Sequence, residues 1–270
     1  MTRIEPARSK SARASINGLD LYYEIHGSGG VPTVLLHGGM TVTYGLGPTL
    51  TALARKRQVI APHMQGHGYT RDIPERPLSY EQMAEDVVAL LTHLDIDRAD
   101  LAGYSMGAGI AMNVAFRHPE RVHKLGIVST TMARDGWYPE VVQAFLDMAA
   151  DPAAHAEGIR ETPLPSMFPD SDWESLFRKM GETEREPFDW SDQVSAIAAP
   201  TMLIFADADA IRPEHIVDFY RQLGGFLRDG GIDGSGRPPG RLAILPGTTH
   251  YTLDETEDAG RCLADFFDAA

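Results

Sequence analysis

The run LAGYSMGAGIA, residues Leu101 to Ala111, sets a serine between glycines at both second-neighbour positions, directly after an apolar stretch. Two readings fit Gly103-Tyr104-Ser105-Met106-Gly107: an ordinary glycine-rich turn, or a strand-to-helix elbow that holds a reactive serine in a strained pose. In so tight a turn, side chains two residues either side of the serine would clash as the backbone crosses itself, and glycine avoids this. A serine presented this way can attack a carbonyl, provided a base takes its proton. The elbow reading makes three demands. The serine must lie between a strand and a helix, an acid and then a histidine must follow, and a loop after an earlier strand must offer an N–H to an oxyanion. Each demand has a candidate. DLAGYSMGAGIAMNVAF is apolar and strand-like before Ser105 and helix-like after it. Asp207 and Asp209 follow the apolar run Pro200 to Ala206, and His250 ends LPGTTH. His37-Gly38-Gly39-Met40 follows the early run Pro32 to Leu36.

The elements that must position these residues are legible along the chain. Ala12 to Ile16 and Leu19 to Ile25 flank Asn17-Gly18, a strong two-residue hairpin signal. Strands are expected at Pro32–Leu36, Gln58–Ala61, Asp100–Ala102, Lys124–Ser129, Pro200–Ala206 and Arg241–Leu245. Helices are expected at Ser79–Leu94, with Ser79 and Gln82 in a capping-box pattern, and at Met106–Phe116. Strands alternating with helices, and continuously apolar strands such as TVLL, argue for a mostly parallel sheet covered on both faces. Residues 132 to 197 break that rhythm with short helical stretches, prolines and many large apolar side chains, and read as a helical insertion. The glycine-rich Leu223 to Arg241 follows a helix and leads to a strand, the wrong order for a phosphate-cradling loop, and reads as a surface loop.

The 270 residues suit one large α/β domain or a core with a modest insertion. A formal net charge of −14 argues against nucleic-acid or anionic-membrane partners. The single cysteine, Cys262, leaves no internal disulfide and no cysteine-based zinc site. No H-E-x-x-H occurs, and the reading expects neither metal nor cofactor. The basic N-terminal segment is not backed by an apolar stretch, and no apolar run is long enough to span a bilayer, so a cytoplasmic location is expected.

The ordered motifs LLHGG, GHG at Gly66 to Gly68, GYSMG, HPERV at His118 to Val122, PTMLIFADADAIRP and LPGTTH resemble the α/β-hydrolase family, from Ile16 to Phe267. One glycine-serine-glycine match is weak; six in order are specific. The resemblance implies an α/β-hydrolase core over 1–131 and 198–270, with a helical cap inserted at 132–197. It implies Ser105 as nucleophile, His250 as base and Asp209 as the acid that fixes the imidazole, with Asp207 as the fallback. The family's acid is the second aspartate of Gly-Asp-x-Asp, and Ala206 stands here for the glycine. The oxyanion donors would be the backbone N–H groups of Gly39 and Met106. His37 and His67 would shape the oxyanion loop. His63 occupies a place where many relatives carry aspartate, and the other histidines read as surface or structural groups.

A serine at the elbow implies hydrolysis of an ester, lactone or thioester through an acyl-enzyme, because relatives acting at saturated carbon use aspartate there. The substrate is expected to be a small, largely apolar ester or lactone, with Met40, Tyr104, Trp137, Tyr138, Met167 and Phe168 as pocket walls. An enol-lactone or macrolactone substrate, perhydrolase or acyltransferase chemistry, and a non-catalytic ligand-binding role are the alternatives. A homodimer is compatible with this reading.

Overall fold

The computed structural model describes residues 10–269. Eight strands form one sheet: β1 (Lys10–Ile16), β2 (Leu19–His26), β3 (Thr33–Leu36), β4 (Val59–Pro62), β5 (Ala99–Tyr104), β6 (Val122–Val128), β7 (Thr201–Ala208) and β8 (Arg241–Thr249). Their spatial order is β1-β2-β4-β3-β5-β6-β7-β8. The β1–β2 and β2–β4 pairs are antiparallel and all others parallel. The leading hairpin turns at Asn17 (φ +47°) and Gly18 (φ +86°), the left-handed pair that a tight hairpin requires.

Strand alternation divides the core. Val34, Leu36 and Leu101 face one apolar cluster, shared with the helices α2 (Tyr80–His93), α3 (Met106–Arg117) and α9 (Pro213–Gln222). Leu35 and Ala102 face a second cluster, under α1 (Gly47–Ala54) and α10 (Glu257–Asp268). Successive residues thus bury on opposite faces, which is why these strands are apolar throughout. Ser79 caps α2 by accepting the Gln82 N–H at 3.1 Å. Cys262 lies on α10 and is half-buried.

Between β6 and β7 the chain adds five helices and no strand of the sheet: α4 (Pro139–Ala150), α5 (Pro152–Arg160), α6 (Leu164–Met167), α7 (Trp173–Arg185) and α8 (Ser191–Ser195). α7 is fastened to the core by Lys179, which is 3% exposed. Its ammonium donates to Asp72 Oδ1 (2.9 Å) and Oδ2 (2.7 Å) and to the carbonyls of Ile73 and Arg76. Asp72 also accepts from Gln65 and Ser175.

Two features differ from the sequence reading. α1 carries no strong apolar period, and it forms against α10 rather than by its own propensity. β8 runs on to Thr249 instead of ending at Leu245, through a register shift opposite Ala206 and Ala208 and a Gly247 at φ +73°. Leu223 to Gly240 contains no helix or strand of its own beyond turns. Among the described residues no helix is long and apolar enough to cross a membrane.

Candidate active site

The parallel strands deliver their C-terminal ends to one rim of the sheet, where open α/β sheets build their sites. Ser105 joins β5 to α3 with φ +51° and ψ −116°, a conformation that L side chains rarely adopt. Its own N–H is held by the Val128 carbonyl at 2.9 Å. A Cβ on Gly103 would lie 2.1 Å from the Gly107 carbonyl oxygen, and one on Gly107 would lie 2.3 Å from that of Leu36. Both glycines are therefore required by backbone crossing, and the elbow reading of GYSMG holds over the ordinary turn.

His250 follows β8 and is buried. Its Nδ1 lies 2.8 Å from Ser129 Oγ and 3.3 Å from Asp209 Oδ1. The Asp209 side chain is 1% exposed and accepts the N–H groups of Ala206 (2.9 Å) and Ala210 (2.8 Å). The residue that replaces the family's glycine therefore contributes through its backbone. Ser129 Oγ is 2.8 Å from both Asp209 oxygens. Ser129, at φ +50° just beyond β6, was not anticipated. The available signal was its position as the first polar residue after a buried core strand. Asp207 does other work: it accepts the Gly247 and Thr248 N–H groups at 2.9 and 3.1 Å, and these hold its carboxyl below the usual carboxylate range.

Ser105 and His250 line one cavity of about 310 Å³ with Gly39 and Met106. The ring hydrogen bonds of His250 run through Nδ1, and among the described residues none joins it to Ser105. The N–H groups of Gly39 and Met106 have no partner among the described residues. The His37–Met40 loop is set by histidines: His37 Nε2 accepts the Met64 N–H (3.0 Å) and His67 Nε2 accepts the Met40 N–H (3.3 Å). His63 Nδ1 accepts the Tyr69 N–H at 3.0 Å. Burial pushes His37 and His63 down to about 3 and His67 to about 4, so all three are neutral donors and acceptors. Among the described residues no group of three or more His, Cys, Asp or Glu is arranged to hold a metal.

Of the expected pocket walls, Met40, Tyr104 and Trp137 line the cavity. Trp137 packs edge-on to His250, with ring centroids 5.5 Å apart, and Tyr104 donates its hydroxyl to the His250 carbonyl. Tyr138, Met167 and Phe168 do not line it. Tyr138 leads into α4 with its N–H on the Ala210 carbonyl, Met167 ends α6, and Phe168 packs on His63 and Tyr69. The walls come instead from α4 and α7: Val141, Phe145, Met148 and Met180. The missed polar lining is Tyr80, Glu184 and Asp254. Asp254 is 7% exposed, and burial pushes its carboxyl up to about 6, helped by Glu255 and opposed by His250. The whole arrangement offers a strained hydroxyl, a buried imidazole and two free N–H groups beside an apolar cavity, a set suited to acyl transfer.

These features coincide with a family match. The chain belongs to the α/β-hydrolase fold family, whose model matches residues 31–175. It is 32% identical over 220 residues to RutD of Azorhizobium caulinodans, a protein named for carbamate hydrolysis, covering 73% of this chain and 80% of that one. It is 34% identical over 129 residues to a 2-hydroxymuconate semialdehyde hydrolase of a Pseudomonas strain, covering 46% of each chain. The chain spans less than half the length of the first curated relatives it matches. In fold it is similar to the enol-lactonase from Burkholderia xenovorans LB400, with a TM-score of 0.72 at 22% identity, covering 96% of this chain and all of that one.

Proposed function

We propose that the chain is a serine hydrolase that cleaves a carboxylic ester or lactone of a largely apolar substrate through an acyl-enzyme. The observation that carries this reading is Ser105 held at φ +51° beside the unengaged N–H groups of Gly39 and Met106, in a cavity that His250 shares. Ser105 Oγ attacks the carbonyl carbon and its proton passes to His250 Nε2, the nitrogen not facing Ser129 and Asp209. The carbonyl oxygen becomes an oxyanion between Gly39 and Met106, each donor being worth about 2.7–4 kcal/mol. Asp209 holds the tautomer and stabilises the imidazolium. As the carbon–oxygen bond breaks, Nε2 returns the proton to the leaving alkoxide. Water then repeats the sequence on the acyl-enzyme, freeing the acid and Ser105. In sites of this kind the serine–histidine contact tightens when substrate binds.

Residues 132–197 act in this reading as a cap whose α4 and α7 supply the apolar wall. The likeness in fold to an enol-lactonase supports lactones as a substrate class. Carbamates present a carbonyl to the same nucleophile, and the likeness to RutD over 73% of the chain makes them the second class to assay. The test is intact-protein mass spectrometry after brief exposure to a fluorophosphonate. One adduct on the parent and none on Ser105→Ala is the expected result. No adduct on a folded parent overturns the reading and favours a ligand-binding role.

A further inference from the structure

The cavity holds an acid that the acyl-transfer reading does not use. Glu184, on α7, lines it and is 4% exposed. Its Oε1 accepts the Tyr80 hydroxyl at 2.6 Å, while Oε2 is buried with no partner. A buried carboxylate oxygen without a donor is costly, and the cost is relieved by any ligand that brings one. The surrounding lining is apolar, with Val141, Phe145, Met148 and Met180.

Two contacts fix where the acid lies relative to the reacting end. A Cβ on Gly39 would lie 2.5 Å from the Met180 methyl, so Met180 abuts the oxyanion loop, and Glu184 is four residues further along the same helix. A Cβ on Gly109 would lie 2.5 Å from the Tyr80 ring, and Gly109 is four residues along α3 from Ser105. On both walls the Tyr80–Glu184 pair therefore stands one helical turn, roughly 6 Å, from the serine end. Trp137 Nε1, in the same lining, is a second buried polar atom without a partner.

We propose that Glu184, held by Tyr80, is a specificity subsite that selects acyl groups carrying a hydrogen-bond donor, a hydroxyl or an ammonium, some five to six bonds from the carbonyl carbon. The reach follows from the roughly 6 Å separation. The subsite rests on the reading of this cavity as the substrate site. Glu184 takes no part in the acyl transfer. It binds the far end of the acyl chain and fixes which chains are held with their carbonyl at Ser105.

The test compares p-nitrophenyl esters of hexanoic, 6-hydroxyhexanoic, 6-aminohexanoic and 6-methoxyhexanoic acids. The hydroxy or amino ester is expected to exceed hexanoate in kcat/KM by about tenfold, the scale of one hydrogen bond. The methoxy ester, which lacks the donor, gains nothing. Glu184→Leu is expected to erase the preference, so that the hydroxy and amino esters turn over no faster than hexanoate on the same variant. Equal rates for the hydroxy, amino and plain esters overturn the proposal, as does an equal gain for the methoxy ester. The methoxy comparison decides the matter in the parent protein even if Glu184→Leu does not fold. Calorimetric titration of Ser105→Ala with the methyl esters of hexanoic, 6-hydroxyhexanoic and 6-methoxyhexanoic acids reads the same preference without catalysis. Tighter binding of the hydroxy ester alone supports the subsite even if the parent proves not to be a hydrolase. Equal binding overturns it and leaves the hydrolase reading standing.

Discussion

Ser129 stands between His250 and Asp209. Its hydroxyl is the closer partner of His250 Nδ1, at 2.8 Å against 3.3 Å for Asp209. Replacing it by alanine removes that partner but leaves Asp209 on the Ala206 and Ala210 N–H groups. Ser129→Ala is expected to lower kcat about tenfold, the scale of one hydrogen bond, with KM little changed; steady-state kinetics on any ester turned over would read both. Full activity would show that Asp209 alone orients the imidazole. Asp254 makes a different prediction. Its carboxyl sits at about 6 in the fold against a usual 3.8, so the fold favours its protonated form. Between those values the folded state keeps a proton that the unfolded chain has lost, and stability falls as pH rises through the window. Asp254→Asn is therefore expected to raise the Tm at pH 8 and leave it nearly unchanged at pH 4, as scanning calorimetry would reveal.

At the scale of elements, the strands, the hairpin and the elbow were legible because each carries a local signal. Asn17-Gly18 can take the left-handed turn, the buried strands are apolar throughout, and glycine two residues either side of Ser105 answers a backbone crossing. The walls of the cavity were not legible. An apolar period tells which side of a helix is buried, but not what lies opposite. Phe168 faces His63 and Tyr69 while Met180 faces Gly39. Tyr80 and Glu184 meet across 104 positions of sequence, and nothing near either announces the other. The same holds for Lys179 and Asp72, whose buried pair fastens α7 to the core. Lys179→Ala strands Asp72 among groups that can no longer neutralise it and is expected to cost about 3–5 kcal/mol. Urea unfolding measures that loss. Because α7 carries Met180 and Glu184 into the cavity, KM for esters should rise as well.

The molecule as a whole keeps three neutral, buried imidazoles in one cluster of contacting rings around the His37–Met40 loop. His37, His63 and His67 titrate near 3 to 4 in the fold against 6.5 when free. The unfolded chain takes up protons at these positions first, so stability is full above the free value and is lost as pH falls. The urea midpoint is expected to rise from about pH 5.5 to 7, with a shallower slope in His63→Asn, whose carbonyl can still accept the Tyr69 N–H. A flat midpoint over that range would mean the three rings are protonated in the fold. The buried carboxyls of Asp254, Glu184, Asp86 and Asp100, raised by burial, contribute in the opposite sense, and the buried His215, lowered by burial, in the same sense as the three rings.

Met180 brings a liability of another kind. Its methyl fills the space beside Gly39 that a side chain would otherwise occupy, and its sulfur is 3.6 Å from that position. Oxidation to the sulfoxide would turn this apolar stretch of the cavity wall beside Gly39 into a bulkier, polar one, at the expense of an incoming apolar acyl group. Peroxide would then quench the protein with Ser105 chemically intact, and a sulfoxide reductase would return it to service. The thioether that shapes the site also makes it answerable to the oxidative state of its surroundings.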